Sequence, residues 1–387
     1  MKKYWKLFML AIFTCSLFGI HYVQASHETR DYLTLSLKTI RGDESVVQNR
    51  TFNGTYYSRS SLYTPATVTL DGYTTPLKSL FVYGMFGKYM ELEMDQLIEQ
   101  NRSFMRGKIH DPMYYYEDEK RLLYVEIPNQ GEYKSEQPLT FNISSLTKSD
   151  GTQLDYTATT LQSFPFQYVH VVEVQFVDGY IKVVAQVYEK GQNVLYVFTI
   201  DETKRTVIEH KPLMTPEAGE YYIVHQNYTD YSPKAYFLYG SSSDYVEATP
   251  NNSTTQGESA KDFKLYKFDL KTMETALIDV PEAVRNNTSN SAATNDATHF
   301  VVYVENALAL YSYHFDNNEW TNIELENSFE VALNEVFVVD DVLYITYGSM
   351  DKSLLDAYDL ATGKQLYRGE ITSKSDVPFY FRMSGVK

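Results

Sequence analysis

One cysteine and two tryptophans are all that 387 residues contain of these types. The cysteine, Cys15, lies in the apolar segment near the start, so the body of the chain can form no internal disulfide and must be held by core burial alone. A chain of this length buries roughly three quarters of its unfolded surface, which suffices without staples. Positive charge is also scarce: 34 basic residues stand against 50 acidic ones, a net charge of -16. Such a surface repels phosphate polymers and anionic lipid headgroups, so nucleic acid is excluded as a partner and a membrane is met only through the N-terminal segment. Solubility outside a cell is the plain account of this acidity; binding of calcium or a cationic partner is the other.

Catalytic signatures are missing as well. There is no Gly-x-Ser-x-Gly elbow, no phosphate loop and no spaced calcium loop. Gly240-Ser241-Ser242-Ser243 has too much serine and no helix signal, and Ser149-Asp150-Gly151-Thr152 only echoes the Asp-box of sialidase-type propellers. The eight histidines include no His-x-His or His-x-x-x-His pair, so each is better read as packing than as a zinc ligand. No residue is assigned a catalytic, cofactor-binding or metal-binding role, and no cofactor is expected.

What is present begins with a leader. Lys2, Lys3 and Lys6 precede an apolar run from Leu7 to Ile20, fourteen residues long and short of the ~20 that span a bilayer. Val23-Gln24-Ala25 then offers small residues at the positions signal peptidase reads, before Ser26. Residues 1–25 are therefore expected to be a signal peptide, with an uncleaved anchor as the alternative. A lipid on Cys15 is disfavoured because Ile12-Phe13-Thr14 supplies no small residue beside it. Losing three lysines would take the net charge from -16 to -19. The expected location is extracellular or at the cell envelope, of a bacterium with a single membrane. The Asn-x-Ser/Thr sites at Asn53, Asn101, Asn142, Asn227 and Asn287 then reflect an Asn/Thr/Ser-rich surface.

The body of the chain is organised by a repeat. Segments opening Leu-Tyr or Leu-Asp begin at Leu195, Leu265, Leu310 and Leu355, and the last two intervals are both 45 residues. The interval before them is 70, and its excess coincides with a Ser/Asn/Thr-rich run, 241–259, expected to be an exposed loop inserted in one repeat. Each copy reads as strand, tight turn and returning strand, and is preceded by two more strand candidates, such as Val171–Val177, the turn Asp178-Gly179 and Tyr180–Tyr188. Four antiparallel strands per ~40–50 residues is the size of a propeller blade.

The clearest copy, Leu355-Asp-Ala-Tyr-Asp-Leu-Ala-Thr-Gly-Lys-Gln-Leu-Tyr367, resembles the quinoprotein-like (PQQ-like) β-propeller repeat, Leu-x-Ala-x-Asp-x-x-Thr-Gly-x-x-Leu-aromatic. Leu355, Ala357, Asp359, Thr362, Gly363, Leu366 and Tyr367 all fit it. The resemblance implies a fold and not a cofactor, since such repeats serve scaffolding propellers as well as quinone-dependent dehydrogenases. A quinone enzyme also calls for stacking tryptophans, and beyond the leader only Trp320 remains; it is expected to pack between blades.

The fold class expected is all-β, a propeller of six or seven four-stranded antiparallel blades with an irregular N-terminal blade or cap over 26–110 and clear blades over 111–387. Met90, Met94, Leu97 and Ile98 lie at helical spacing, predicting a helix between Met90 and Phe104 that packs on the sheet. Val377 to Met383 is a strand with no successor, suited to closing the ring on N-terminal strands.

Acidic clusters occur at Glu91/Glu93/Asp95, Glu117/Asp118/Glu119, Asp201/Glu202 and Asp340/Asp341. Paired carboxylates are what glycosidic cleavage needs, but three of these clusters fall in inter-strand turns, where acids are ordinary solvated residues. Tyrosine is abundant at 35 residues, with runs Tyr56-Tyr57, Tyr114-Tyr115-Tyr116 and Tyr221-Tyr222. An apolar body with a polar tip serves half-buried strands and binding faces alike, and adjacent strand residues point to opposite faces, so one of Tyr114 to Tyr116 is expected to face outward. The function that follows is a non-catalytic exported propeller binding a protein or glycan at the envelope through one end of its ring, a rim that the 241–259 loop helps to shape. An envelope polysaccharide-acting enzyme with carboxylates in the central funnel and a membrane-anchored sensor subunit are the alternatives.

Overall fold

The computed structural model describes Trp5, Met9 and residues 12–20, 35–58, 61–70, 72–73, 94–128, 134–166, 168–189, 191–214, 221–224, 231–242, 263–285, 290–304, 307–326, 333–349, 352–373 and 379–386. Among these, six antiparallel sheets follow one another along the chain. Blade II is Tyr115–Glu117, Arg121–Glu126, Lys134–Thr147 and Gln153–Phe166. Blade III is Tyr168–Val177, Tyr180–Glu189, Gln192–Asp201 and Thr206–Met214. Blade IV is Tyr221–Val224, Tyr236–Ser242, Lys264–Asp269 and Thr275–Ile278. Blade V is Ser291–Ala293, Ala297–Val304, Ala307–His314 and Glu319–Glu324.

The remaining two sheets join the ends of the chain. Blade I takes the C-terminal strand Phe379–Val386 as its first member, hydrogen-bonded to Phe52–Ser58, followed by Ser61–Thr69 and Gly72–Tyr73. Blade VI is Leu333–Val339, Val342–Ser349, Lys352–Asp359 and Gln365–Ser373, and gains a fifth strand, Leu35–Gly42, on its outer edge. Both closures remove a sheet edge that would otherwise template aggregation. The architecture is an all-β propeller, and the orphan strand at the end of the sequence closes it as its position predicts.

Each of the four repeat leucines lands in the third strand of its blade, fully buried. The hairpin that follows explains the Asp-Thr-Gly signature. Asp359 Oδ1 accepts from the Thr362 amide at 2.8 Å and from its hydroxyl at 2.6 Å, and the Gly363 amide donates to Asp359 O at 2.9 Å. Closing the loop in this way needs a left-handed residue, and Gly363 has φ +70°. Gly151, Arg205, Met273 and Asn318 hold the same left-handed role in the other blades, with φ between 54° and 72°. At Gly363 the neighbouring blade presses close as well, a Cβ there lying 2.5 Å from Glu324 O. The two-residue turns Asp178-Gly179 and Asp340-Asp341 have positive φ at both residues, the conformation whose twist matches the flanking strands.

Apolar clusters fill the spaces between blades II and III, III and IV, IV and V, V and VI, and VI and I. The face of blade II turned away from blade III packs instead on two short helices, Asp95–Gln100 and Arg102–Met105, through Met94, Leu97, Phe104 and Met105 against Tyr115, Leu122 and Tyr124. These helices meet the helical expectation for this region; its start at Met90 lies outside the described residues. Trp320 sits between blades IV and V, packed at a tilt against Phe300 and Tyr313, with its Nε1 donating to Asp279 O at 2.9 Å.

Two expectations are corrected. Tyr115 and Tyr116 do point to opposite faces, but both are buried, because one face of blade II is covered by blade III and the other by the helices. Tyr114 is half-buried. Ser241 and Ser242 are not loop residues: they complete a strand of blade IV and are fully buried. The rest of the 241–259 run lies outside the described residues.

Candidate functional site

The two ends of the ring differ. At the end where first strands finish, the turns carry the acidic clusters, and local bonds occupy those carboxylates. Asp118 Oδ1 accepts from the Lys120 and Arg121 amides at 2.7 Å each. Asp201 Oδ1 accepts from the Lys204 amide at 2.9 Å. Glu117 pairs with Lys148 at 2.7 Å, Glu202 with Arg121 at 3.2 Å and Asp340 with Arg50 at 2.6 Å. Asp95 opens a helix, and Glu91 and Glu93 lie outside the described residues.

A segment of blade IV also crosses this end. Tyr231 O accepts from the Glu117 amide of blade II at 2.9 Å. Gln175 of blade III donates to Ser232 O at 3.0 Å and accepts from the Lys234 amide at 2.9 Å. Glu173, buried on the first strand of blade III, completes the tie, its two oxygens each 3.2 Å from Lys234 Nζ. The finishing ends of blades II and III are thus stapled to blade IV.

The opposite end, where first strands begin, gathers aromatic and polar side chains from blades II and III. Asp111 Oδ1 accepts from the Met113 amide at 3.0 Å and caps the short helical turn Pro112–Tyr114. Tyr114 then meets His170, hydroxyl to Nδ1 at 3.4 Å, with the rings edge-on at 6.1 Å. Behind it Tyr124 donates to Glu126 at 2.9 Å and accepts from the Ile109 amide at 3.2 Å, and Tyr115 donates to Ile109 O at 2.8 Å. Lys108 Nζ donates to Phe104 O at 2.6 Å and lies 4.3 Å from the centre of the Phe104 ring.

Burial raises the Asp111 carboxyl above its ordinary range, opposed by the Met113 amide and by His170. It lowers the Lys108 ammonium against the pull of Asp155 and Glu126. It also pushes the Tyr114 phenol up to about 12, with the Asp111 and Glu126 charges adding, and Tyr115 and Tyr124 higher still. These phenols stay protonated at neutral pH; Tyr115 and Tyr124 are buried and spend their hydroxyls on Ile109 and Glu126, so of the three only half-buried Tyr114 can meet a ligand.

At the same end of blade III, Tyr168 and Tyr188 stack at 5.3 Å with planes 7° apart. Tyr168 reaches over the second strand to donate to Asn193 Oδ1 at 2.8 Å, and accepts from Gln186 Nε2 at 3.4 Å. It remains 45% exposed. Sequence reasoning missed this pair. The second strand of blade IV ends at Ser242 and its third begins at Lys264, so the serine-rich insertion leaves from this end of the ring.

Elsewhere the structure assembles a serine and a histidine without making a site of them. His299 Nδ1 lies 2.8 Å from Ser312 Oγ, and its Nε2 lies 3.4 Å from Thr294 Oγ1, which donates to Asp296 at 2.7 Å. These are the atoms of a nucleophile and base, but His299 is 2% and Ser312 6% exposed. They face each other across two strands of blade V on the side packed against blade VI. No substrate carbonyl reaches Oγ there.

Burial holds the His299 imidazole down, from 6.5 to about 4, with Asp296 opposing and His314 adding to the shift. Between those values the unfolded chain binds the proton and the folded chain does not. Stability contributed by His299, about 3 kcal/mol, is therefore complete above pH ~6.5 and lost as the pH falls toward 4. Urea midpoints measured from pH 7.5 to 4.5 should fall more steeply for the parent than for His299→Gln; equal slopes would show that His299 does not set this dependence.

A cleft of about 400 Å³ between blades V and VI is lined by Glu324, Glu326, Thr362, Gly363 and Lys364. Glu326 is engaged there by the Gln365 amide at 3.2 Å. Among the described residues no three His, Cys, Asp or Glu side chains are arranged to hold a metal ion.

No protein-family model and no curated protein matches the chain. Solved structures do resemble it. One is an uncharacterized protein of Listeria monocytogenes EGD-e, 9% identical over 66% of this chain and 63% of that one, TM-score 0.33. Another is TolB from Acinetobacter baumannii, 12% identical over 86% and 66%, TM-score 0.36. A third is a mutant Synechocystis apocarotenoid oxygenase, 10% identical over 68% and 61%, TM-score 0.39. The chain covers less than two thirds of the length of each of these.

Proposed function

We propose that this is an exported, non-catalytic propeller that binds a protein or glycan partner at the cell envelope through the end of the ring where first strands begin. The observation that carries this is the contrast between ends. One is stapled by the Tyr231–Lys234 segment and its carboxylates are tied into turns; the other presents Tyr114, His170, Tyr168 and Tyr188 with hydrogen-bonding groups around them. Half-exposed tyrosines with polar tips are the side chains that interfaces favour.

Export is supported by the leader. Its residues 12–20 are helical and exposed all round, presenting Ile12, Phe13, Leu17, Phe18 and Ile20 to solvent. An apolar helix with no face against the propeller is suited to be removed or to enter a membrane surface. No helix among the described residues is long and apolar enough to cross a membrane.

The test is crosslinking in the native envelope. Gln186→Arg with Asn193→Arg should abolish capture of the partner, while Asp178→Lys at the stapled end should leave it unchanged. The reverse pattern would move the contact face to the other end. Intact-mass measurement of the exported protein should find Ser26 at its N-terminus.

A further inference from the structure

We propose that the Tyr168 platform is a subsite for one pyranose ring of an uncharged glycan; this rests on the ring-end reading above and names its ligand. Three observations converge on it. Tyr168 is a flat ring with one face stacked on Tyr188 and the other side open, 45% exposed, so it is stiffened without being covered. The axial C–H face of a pyranose lies flat on such a ring, burying apolar surface on both.

The bonds that hold the platform also leave a donor and an acceptor beside it. Asn193 Oδ1 takes the Tyr168 hydroxyl and Gln186 gives it an N–H. Asn193 Nδ2 and Gln186 Oε1 have no hydrogen bond among the described residues. An amide donor and an amide acceptor flanking a ring face match the paired hydroxyls at a sugar's rim, each of which both donates and accepts.

Charge selects the class. Among the described residues no basic side chain bonds to the platform, the nearby Glu189 is tied to Tyr196 at 3.0 Å, and the chain as a whole carries -16. Sulfated or uronate polymers would be repelled, which leaves an uncharged sugar.

Titrating the full-length chain with chitohexaose, cellohexaose and maltohexaose, with polygalacturonate as the charged control, tests the assignment. At least one uncharged hexaose should bind and polygalacturonate should not. Tyr168→Ala should weaken that binding about five- to tenfold, the loss of a stacking contact worth ~1–1.4 kcal/mol. Tyr168→Phe, which keeps the ring, should stay within about threefold, and both variants should melt with the parent. Absence of binding by all three hexaoses, or parent-like binding by Tyr168→Ala, would overturn the sugar assignment. The same variants in the envelope crosslinking assay separate the two levels. If no hexaose binds but Tyr168→Ala still loses a crosslinked protein, the ring-end reading stands with a protein in place of the sugar; if neither assay responds, both fall.

Discussion

Replacing Arg368 with leucine is expected to destabilise the fold by about 3–5 kcal/mol, lowering the melting midpoint by roughly 4–6 °C. Arg368 and Asp356 are 3% and 0% exposed on adjacent strands of blade VI. The guanidinium grips the carboxylate at two points, Nη2 to Oδ2 and Nε to Oδ1, the latter at 2.6 Å. Tyr358 adds a hydrogen bond to Asp356 at 3.0 Å, and its own hydroxyl lies 3.3 Å from that of Tyr347.

Removing the cation strands an ion in the packed space between blades V and VI, and that stranded charge causes most of the loss. Asp356→Leu together with Arg368→Met should therefore recover more than half of it, even though the ion pair is gone. Adding Tyr358→Phe, which removes the phenol that had donated to Asp356, should recover more. A double variant no better than Arg368→Leu alone would mean that the pair itself, and not the avoided desolvation, holds the blade.

Ending the chain after Ser373 is expected to abolish cooperative folding altogether. The strand Phe379–Val386 is the first member of blade I and brings Phe381 and Met383 into the core shared by blades VI and I. Those two side chains alone represent about 3–6 kcal/mol of burial, and the ladder to Phe52–Ser58 is lost with them. That approaches the whole of a typical folding free energy, about 5–15 kcal/mol. The truncated chain should be recovered aggregated, or soluble without a melting transition, and a peptide of residues 379–386 added during refolding should restore part of the transition. A sharp transition within a few degrees of the parent would show that the ring holds without its closing strand.

The ring and its closure were legible because each blade encodes itself locally. Asp359, Thr362 and Gly363 form one hairpin, Asp178-Gly179 another, and leucines at fixed positions mark the third strands. The platform was not legible, for a specific reason. Counting outward from the Asp178-Gly179 turn, an unbroken ladder would set Tyr188 opposite Val169 and turn Tyr168 to the other face of the sheet. A bulge at Val172, between the pairs Val184–Glu173 and Ala185–Val171, shifts the register by one residue and brings Tyr168 opposite Tyr188. One inserted residue moves every side chain beyond it to the opposite face, and the valine-rich strand gives no local sign of where the insertion falls. The burial of both Tyr115 and Tyr116 was hidden for a related reason: strand alternation says that they diverge, but not that helices from an earlier stretch cover the second face.

The joining of residues 52–58 to residues 379–386 also fixes an order of events during synthesis. About 320 residues separate the two strands, and at ~5–20 residues per second the first waits on the order of tens of seconds before its partner leaves the ribosome. Blades II to V can each assemble all four strands locally in that interval, whereas blade I has only Phe52–Ser58, Ser61–Thr69 and Gly72–Tyr73, and its unfilled edge is open to pairing with another copy of itself. Completion of blade I therefore joins strands about 320 residues apart, and until that pairing forms the edge of Phe52–Ser58 stays open.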